Sequence, residues 1–459
     1  PEAVDCVIVG SGPGGYVAAI RASQLGLRTA IIEADRVGGR CLNYACIPAK
    51  AVLHVADVLQ STESATELGI TVGKAKIDFN KVHERRAQVI TTLTGGVGAL
   101  LTKNKVEVIN GRGRLEGEGR ISVESDGSAQ EIRALKAIIL ATGSIAKPLP
   151  GTPFEDRVID TEKAWALPEL PTTLAVVGAG ASGVEIASAY ARLGSKVTLL
   201  EGLDRVTPAE DTDISRLAER AFKKQGIDVR CGVKVEDVRS LERSVKFSVD
   251  GEALEVEWLV VATGRGADTK GLGLDAAGVQ TSDDGLISVD ASLRTTSAGV
   301  WAIGDLVRGP ALAHKASDEG IIAVEDAAGH DTHALDIDNI PRATFCSPNI
   351  ATVGLTEADA IARGFDVIAV SVPFSAVGAG AVYGDRTGMV KLIGERRYGA
   401  LLGGHIIGSR ATDLIQQVAD VRALEGGFPE LARICHGHPT FSEAVMEAAR
   451  AADGWLIHG

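Results

Sequence analysis

The chain has 459 residues, too many for a single ordinary core, and this length predicts two to four domains. Its net charge of −13 argues against a general nucleic-acid binder, because nothing would neutralise phosphates in bulk. No apolar run reaches the roughly 18 residues of a membrane span, and the first residues lack the pattern of a signal peptide. No cysteine spacing resembles a metal site. We therefore expect a cytoplasmic protein without nucleic acid, membrane or metal as partner.

The first predicted unit is a strand, a glycine-rich turn, a helix and a second strand that ends in an acid. Residues 4–9 form the first strand, the helix runs through Gln24, and residues 29–32 form the second strand before Glu33. The turn carries the Gly-x-Gly-x-x-Gly fingerprint of dinucleotide-binding proteins. A pyrophosphate would lie at the N-terminus of the helix, and Glu33 would accept hydrogen bonds from a ribose diol. The glycines of the turn are Gly10, Gly12, Gly14 and Gly15.

Two cysteines, Cys41 and Cys46, follow this unit five positions apart. A close cysteine pair without a secretory leader points to redox catalysis rather than to a structural scaffold. The alternative is a pair of free, unlinked thiols. The other four cysteines are isolated and are typical of small buried apolar residues.

The same strand, turn, helix and strand recur later in the chain. Residues 174–177 lead into a second fingerprint with Gly178, Gly180 and Gly183, and residues 196–200 end in Glu201. The first glycine precedes the acid by 33 − 10 = 23 positions in one unit and by 201 − 178 = 23 in the other. Two complete units at equal spacing favour two dinucleotide sites over glycine turns in an ordinary parallel sheet. An acid at this position favours NAD over NADP, although Arg205 lies in the following loop.

Three further apolar strands end in small polar motifs. Residues 138–144 and 259–265 each end in Ala-Thr-Gly, and either could close a nucleotide domain. Residues 300–305 end in Gly304-Asp305, and the aspartate is placed to bind a polyhydroxyl chain. Any one of these segments alone would be a structural feature.

With these motifs in order along nearly its whole length, the chain resembles the flavin-dependent pyridine nucleotide–disulfide oxidoreductases, and within them the dihydrolipoamide dehydrogenases. The cysteine segment and a C-terminal His-Gly-His-Pro-Thr-Phe-Ser-Glu motif are together highly specific. The segments that carry the resemblance are residues 10–15, 38–50, 141–143, 178–183, 262–265, 304–305, 313–316, 353–357 and 436–443.

The resemblance implies an α/β fold with two Rossmann-like dinucleotide-binding domains and a C-terminal α+β dimerisation domain. It divides the chain into an FAD-binding domain (1–146) with the redox disulfide, an NAD-binding domain (147–268), a second part of the FAD-binding domain (269–340) and a dimer-interface domain (341–459). It also implies a homodimer whose active site is shared between subunits, with the terminal histidine supplied by the partner.

The resemblance further implies the cofactors FAD and NAD and the residues that bind them. For FAD, these are the glycines of the first fingerprint with Glu33, Lys50, Thr142, Gly143, Asp305, Ala313 and His314. For NAD, they are Gly178, Gly180, Gly183, Glu201 and Gly264.

The catalytic residues implied by the resemblance begin with a Cys41–Cys46 disulfide. Residues at i and i+5 of a regular helix are about 7.5 Å apart along the axis, beyond the roughly 4.4–6.8 Å between the Cα atoms of a disulfide. The bridge therefore needs a distorted helical turn, which is typical of an exchangeable site. Cys41 would exchange with the substrate, and Cys46 would face the flavin.

A base is also implied, because oxidation of a dithiol releases protons. His438 fits this role, with Glu443 to orient its imidazole, and His436 is the competitor. Lys50 would lie near the flavin, pair with Glu185 and stabilise negative charge on the reduced ring.

The active-site segment departs from the family at four positions. Arg40, Tyr44, Ala45 and Ala49 stand where the family has Thr, Val, Gly and Ser. Residues 264–268 lack the common Arg-Pro-Asn run, and positions 181 and 182 hold smaller residues than usual. We expect Arg40 and Tyr44 to adapt the enzyme to an unusual lipoyl-bearing partner.

The resemblance thus implies an NAD-dependent dihydrolipoyl dehydrogenase, whose partner would be a lipoyl-bearing carrier protein or a complex of the 2-oxoacid dehydrogenase or glycine-cleavage type. One alternative is another NAD(P)H-dependent disulfide reductase of the superfamily. The other is a complex-bound flavoprotein subunit without turnover, against which the intact cysteine, histidine and glutamate set argues.

Overall fold

A computed structural model describes residues 3–125 and 127–459 of the chain. The helices within these residues are α1 Pro13–Gln24, α2 Gly39–Asn43, α3 Cys46–Ser64, α4 Phe79–Lys103, α5 Thr161–Ala164, α6 Ala181–Leu193, α7 Thr212–Lys224, α8 Ala313–Ala327, α9 Glu357–Ala362, α10 Gly378–Val382, α11 Ala411–Ala423, α12 Phe428–Leu431 and α13 Ser442–Ala452. The strands are β1 Ala3–Val9, β2 Thr29–Glu33, β3 Glu107–Asn110, β4 Arg112–Gly117, β5 Arg120–Ser125, β6 Ser128–Leu140, β7 Ser144–Ala146, β8 Val158–Asp160, β9 Thr173–Val177, β10 Lys196–Glu201, β11 Asp228–Cys231, β12 Val235–Ser240, β13 Val245–Val249, β14 Glu252–Val256, β15 Trp258–Val261, β16 Arg265–Ala267, β17 Val300–Ala302, β18 Arg342–Thr344, β19 Ile350–Gly354, β20 Val367–Pro373, β21 Met389–Glu395 and β22 Leu401–Ile407.

The first of two compact units comprises the chain up to Val52, Asn80–Lys147 and Gly264–Ile337. Its main sheet has the order β3-β2-β1-β6-β5-β4, and β17 also pairs with β6. The strands β3, β2, β1 and β17 are joined in parallel to one another or to β6, while β5 and β4 continue antiparallel. Strands β1, β2 and β17 are almost wholly apolar and buried, as expected for a sheet covered on both faces, whereas the edge strand β3 is mostly exposed.

Strand β6 is longer than the sequence predicted. The predicted apolar segment at 138–140 is only its buried end, and the strand begins ten residues earlier, at Ser128. Its first half is mostly exposed and pairs antiparallel with β5, so it lacks the continuous apolar pattern of a parallel strand.

The second compact unit comprises Leu53–Phe79, Pro148–Thr263 and Asp338–Gly459. It contains a parallel sheet with the order β11-β10-β9-β15-β8 and a small antiparallel sheet, β12-β13-β14. The predicted strand, helix and strand are confirmed as β9, α6 and β10, and α6 ends at Leu193 as expected. Gly194 follows it in the left-handed conformation that often ends a helix.

The C-terminal part of this unit is an antiparallel sheet, β18-β19-β22-β21-β20, packed against α11 and α13. A buried lysine on β21 joins this sheet to the start of α7. Lys391 Nζ lies 2.9 Å from Asp211 Oδ1, 2.7 Å from Asp213 Oδ2 and 2.7 Å from Glu357 Oε2. Three carboxylates around one ammonium fix the start of α7 on this sheet.

These sheets and helices confirm the predicted fold class of two Rossmann-like domains and a C-terminal α+β domain. Within residues 3–125 and 127–459, none of the helices combines the length and apolar character needed to cross a membrane. The four-segment division of the chain and the cytoplasmic location stay predictions.

Candidate functional site

The two glycine fingerprints adopt the same local geometry. Gly10 has φ +103° and Gly178 has φ +99°, values that only glycine adopts readily. A Cβ added to Gly15 would lie 1.9 Å from Gly10 O, and one added to Gly183 would lie 1.9 Å from Gly178 O. The last glycine of each fingerprint thus lets the helix begin directly against the turn that precedes it.

The middle glycines face open space instead. A Cβ added to Gly12 or to Gly180 would meet no atom within 4 Å. Each of these residues is the N-cap of its helix, with extended backbone that any residue adopts, and neither caps the helix with a side chain. The N–H groups at each helix start therefore face a space without side chains, which suits the pyrophosphate of a dinucleotide.

The acids at the ends of β2 and β10 are held in matching ways. Glu33 Oε2 accepts the Ser11 N–H at 2.9 Å and Oε1 accepts the Asp35 N–H at 2.8 Å. Glu201 Oε2 accepts the Ala179 N–H at 2.6 Å and Oε1 accepts the Leu203 N–H at 2.9 Å.

Glu33 Oε2 also accepts the Ser11 hydroxyl and is fully used. Glu33 Oε1 and both carboxylate oxygens of Glu201 each keep a second acceptor position, so both side chains can still bind a ribose diol. The residues present therefore fit a dinucleotide at each fingerprint.

Arg205, the loop residue that kept NADP possible as the cofactor, is bonded to two neighbouring residues of its own loop. Its guanidinium lies 3.2 Å from Asp204 Oδ1 and donates to Pro208 O at 3.1 Å. This engagement supports the preference for NAD that Glu201 predicts.

The cysteine segment is docked on the first fingerprint. A Cβ added to Gly39, the first residue of α2, would lie 2.6 Å from Gly12 Cα. Just before it, the Gly38 N–H donates to Ser11 Oγ at 3.2 Å. The helix that carries Cys41 therefore starts in backbone contact with the candidate phosphate loop.

The Cys41–Cys46 disulfide is present, with the two Cα atoms 4.8 Å apart. The predicted distortion takes the form of a break, because α2 ends at Asn43 and α3 begins at Cys46. Asn43 steadies the first helix by donating its side-chain amide to Val37 O at 3.1 Å and to Gly39 O at 2.9 Å. The bridge thus joins the middle of α2 to the first residue of α3 instead of spanning one helix.

Tyr44, one of the unusual residues, lies in that break. Its hydroxyl donates to Asp35 Oδ2 at 2.5 Å, and the Arg36 guanidinium lies 5.9 Å from the centre of its ring. Tyr44 therefore ties the loop between the cysteines to the loop that follows Glu33.

The segment that follows β6 is hydrogen-bonded to residues 264–268, which follow β15. Thr142 Oγ1 donates to Asp268 O at 2.7 Å, and Gly143 O accepts the Asp268 N–H at 2.9 Å. Strands β7 and β16 then pair antiparallel. Gly264, the first residue of this second segment, has φ +139°, and its carbonyl accepts the Lys147 N–H at 3.1 Å.

Asp305 lies in a short 3₁₀ turn, Gly304–Leu306, directly after β17. Its Oδ2 accepts a hydrogen bond from Ser144 Oγ. Ser144 Oγ in turn accepts from Arg265 Nε at 2.8 Å. This chain of bonds gives the Asp305 carboxylate a fixed direction.

Ala313 and His314 are the first two residues of α8, so their N–H groups belong to its open first turn. Helix α8 packs on α1, which begins at the first fingerprint. A Cβ added to Gly14 would lie 2.8 Å from Ala316 O, so this glycine serves helix packing.

The C-terminal motif forms a histidine–glutamate pair. His438 Nδ1 lies 2.9 Å from Glu443 Oε1, and Glu443 Oε2 accepts the Thr440 N–H at 2.9 Å. Burial alone would raise the pKa of Glu443, but the bonds from His438 and Thr440 outweigh it and hold the pKa below its ordinary value.

An ionised Glu443 can only accept, so His438 Nδ1 carries the proton and Nε2 is left as a base. The His438 side chain is 74% exposed, within reach of an incoming substrate. His436 is half-buried, and burial lowers its pKa.

Lys50 and Glu185 lie on different helices. Lys50 lies on the first turns of α3, one helical turn after Cys46. Glu185 on α6 is buried, and its Oε1 accepts the Phe345 N–H at 2.8 Å.

Several residues around these sites were not anticipated from the sequence. Ser11 joins Glu33 to the cysteine segment, Asp35 receives Tyr44, and Ser144 and Arg265 orient Asp305. The position of Ser144 directly after Ala-Thr-Gly was the available signal, but its partner is 161 positions away.

Known proteins are similar to this chain along nearly its whole length. The family model "Pyridine nucleotide-disulphide oxidoreductase" matches residues 4–320, and the dimerisation domain of the same family matches residues 340–449. A dihydrolipoyl dehydrogenase of Bacillus subtilis is 40% identical over 99% of both chains. One of Chlorobaculum tepidum is 41% identical over 97% of this chain and 96% of its own.

Solved structures agree with this likeness. LpdA from Mycobacterium tuberculosis matches with a TM-score of 0.91 and 28% identity, covering 98% of this chain and 99% of its own. The HOCl-induced flavoprotein disulfide reductase RclA from Escherichia coli, as its Cu(II) complex, matches with a TM-score of 0.89 and 28% identity, covering 98% of this chain and 100% of its own. With two family models that together span most of its length, the chain belongs to the pyridine nucleotide–disulphide oxidoreductases.

Proposed function

We propose that the chain is a dihydrolipoyl dehydrogenase, which oxidises protein-bound dihydrolipoyl groups to the disulfide and reduces NAD to NADH. The observation that carries this proposal is the Cys41–Cys46 disulfide, because Cys41 lies on a helix whose first residue contacts Gly12. The full-length relatives named dihydrolipoyl dehydrogenase are about 40% identical, whereas the solved disulfide reductase RclA is 28% identical. This difference favours lipoyl substrates over those of other disulfide reductases.

The family implies FAD and NAD(H) as cofactors. The first fingerprint with Glu33 would hold FAD, together with Lys50, Thr142, Gly143, Asp305, Ala313 and His314. The second fingerprint with Glu201 would hold NAD, together with Gly264. When bound, FAD supplies the two-electron chemistry that reoxidises the cysteine pair and reduces NAD.

The cysteine pair performs the exchange with substrate. A dihydrolipoyl thiolate attacks Cys41 Sγ, which breaks the Cys41–Cys46 bond and releases the Cys46 thiolate. The second substrate thiolate attacks the substrate sulfur of this mixed disulfide and releases the Cys41 thiolate. The lipoyl disulfide closes, and the two electrons from the substrate now reside on the protein, in the reduced Cys41 and Cys46.

His438 takes up the proton of one attacking thiol at a time, and it passes on the first proton before it accepts the second. Its Nε2 is the basic atom, because Nδ1 donates to Glu443. The carboxylate fixes the tautomer and stabilises the imidazolium as it forms. We therefore expect Glu443→Gln to lower kcat by roughly 10²–10⁴-fold, the usual share of general base catalysis.

The match to a dimerisation domain supports a homodimer. We propose that His438 of the partner subunit completes each active site, next to Cys41. Lys50 would pair with Glu185 beside the cofactor and stabilise negative charge there. The substrate would arrive on a lipoyl carrier of a 2-oxoacid dehydrogenase or glycine-cleavage complex.

A spectroscopic and steady-state assay tests the proposed function. The purified full chain should be yellow, and dihydrolipoamide with NAD should yield NADH faster than dihydrolipoamide with NADP. Activity confined to glutathione disulfide and NADPH would identify another disulfide reductase. A yellow protein without turnover would identify a subunit that only binds flavin, and a colourless protein would contradict the proposal.

Cysteine variants test the exchange step. Cys41→Ser should abolish NADH formation because no disulfide remains to accept substrate electrons. Cys435→Ser is the matched control, because Cys435 is an exposed free cysteine and its loss should leave kcat unchanged. Equal activity in the two variants would contradict the role of Cys41.

The unusual Arg40 and Tyr44 are proposed to adapt the enzyme to its lipoyl carrier. The bond from Tyr44 to Asp35 supports this, because it fixes the loop between the cysteines. An Arg40→Thr/Tyr44→Val double variant should change kcat/KM for a lipoyl carrier more than for free dihydrolipoamide. Unchanged kinetics on both substrates would rule out this role.

A further inference from the structure

Helix α8 carries a buried ion pair that the proposed reaction does not use. Lys315 Nζ lies 2.8 Å from Glu319 Oε1, and the two side chains are 0% and 4% exposed. Burial raises the pKa of Glu319 against the opposing effect of Lys315. Desolvation of two charges is costly, so such a pair is tolerable only when its remaining hydrogen-bonding positions are also filled.

Both charges are bound to the backbone of one residue. Lys315 Nζ donates to Gly304 O at 2.9 Å, and Glu319 Oε2 accepts the Gly304 N–H at 2.7 Å. The pair therefore holds the two peptide groups that flank Gly304 Cα, one by its N–H and the other by its carbonyl. Gly304 is the first residue of the 3₁₀ turn that contains Asp305.

The same helix also sets the position of the first fingerprint. A Cβ added to Gly14 would lie 2.8 Å from Ala316 O, and one added to Gly320 would lie 2.6 Å from Gly14 O. The backbones of α1 and α8 are thus in contact within the first turn of α1. Helix α8 therefore holds both the helix start that suits a pyrophosphate and the turn with Asp305.

We propose that Lys315 and Glu319 are positioning residues for the flavin: by holding the backbone on both sides of Gly304, they fix the Asp305 carboxylate at a set distance from the N-terminus of α1. This inference rests on the proposed binding of FAD at the first fingerprint. A dinucleotide bound by both the N-terminus of α1 and Asp305 needs these two groups at the right separation. Loss of the ion pair should therefore weaken FAD binding.

A glycine covers the lysine and makes room for it. A Cβ added to Gly309 would lie 2.6 Å from Lys315 Cε. The loop between the 3₁₀ turn and α8 thus closes directly over the lysine side chain. Its contact keeps water from the pair, which strengthens the hold on Gly304.

The test uses the full chain as holoenzyme and follows FAD release by the rise of flavin fluorescence after dilution. Lys315→Met keeps the length of the side chain but removes the ammonium. We expect FAD release at least tenfold faster and an altered absorption band of the bound flavin. Lys391→Met is the matched control, because Lys391 is also buried and ion-paired, with 4% of its side chain exposed. It should lose thermal stability without faster FAD release.

A double variant separates positioning from stability. Lys315→Met/Glu319→Leu removes both charges and leaves no unpaired carboxylate, so it should regain thermal stability over Lys315→Met. FAD release should remain fast, because Gly304 is no longer held.

Recovery of wild-type FAD release together with stability would show that the pair only supports the fold and would overturn the inference. Absence of FAD from the wild-type chain would instead overturn the proposed function.

Discussion

The open space at the middle glycine of each fingerprint yields a selective prediction for Gly180→Ala. An added methyl group meets no protein atom within 4 Å, and the backbone there, with φ −71°, accepts alanine. The variant should therefore fold normally and retain FAD. In the NAD complex, however, the methyl group would keep the pyrophosphate from the helix N–H groups. Loss of one such charge-assisted bond costs about 1.5–3 kcal/mol, or roughly a 10–150-fold rise in Kd for NAD.

Titration of NAD into the holoenzyme measures this effect, and thermal unfolding checks the fold. Gly183→Ala is the contrasting variant, because its Cβ would lie 1.9 Å from Gly178 O and should disrupt the turn itself. Gly12→Ala should weaken FAD binding while leaving the second site intact. Wild-type affinity for NAD in Gly180→Ala would refute the assignment of this helix start to the pyrophosphate.

Three further predictions concern specificity and stability. Glu201→Ser should raise the ratio of kcat/KM for NADP to that for NAD at least tenfold, because the acceptor of the ribose diol is lost and a 2′-phosphate is no longer repelled. Lys391→Met should destabilise the protein by about 3–5 kcal/mol at pH 7, since three carboxylates lose their counter-charge. Gly96→Ala should raise the unfolding temperature, because alanine favours a helix interior by roughly 1 kcal/mol and meets no atom within 4 Å.

The Lys391 prediction has a defined pH dependence. Burial alone would raise the pKa of Asp211, but the bond from Lys391 and the Asp213 N–H outweigh it, so the pKa is lowered. A depressed carboxyl pKa stabilises the fold above the ordinary value of about 4, and this contribution is lost as the pH falls through the folded pKa. The difference in unfolding temperature between wild type and Lys391→Met should therefore shrink below about pH 4.

Contrary results are easily recognised for these variants. Unchanged cofactor preference in Glu201→Ser would show that the acid does not face the ribose. A pH-independent difference for Lys391→Met would show that lost packing, and not lost charge, causes the destabilisation. A lower unfolding temperature for Gly96→Ala would indicate that this face of α4 is covered in the folded protein.

The fingerprints and their helices were predictable because their determinants are local. Glycines that need positive φ, apolar strands and an acid at fixed spacing are all written within some 25 residues, and α1 and α6 end where the sequence predicted. Strand β6 was predicted only in part, since its first half is defined by pairing with β5. Local patterns identify a strand by its burial, so a strand held by pairing alone escapes them.

The supports of the site were not predictable, because each depends on residues that meet only in the folded chain. The partner of Ser144 lies 161 positions away, and nothing near Asp305 in sequence indicates that a serine would orient it. Lys315 and Glu319 do show the i, i+4 spacing of a helical ion pair, which on most helices is an exposed pair worth a few tenths of a kcal/mol. Only their burial beneath Gly309, together with their bonds to Gly304, lets this spacing hold the backbone that precedes Asp305. A motif therefore identifies the residues that face a cofactor, while the precision with which they face it depends on contacts that the motif does not contain.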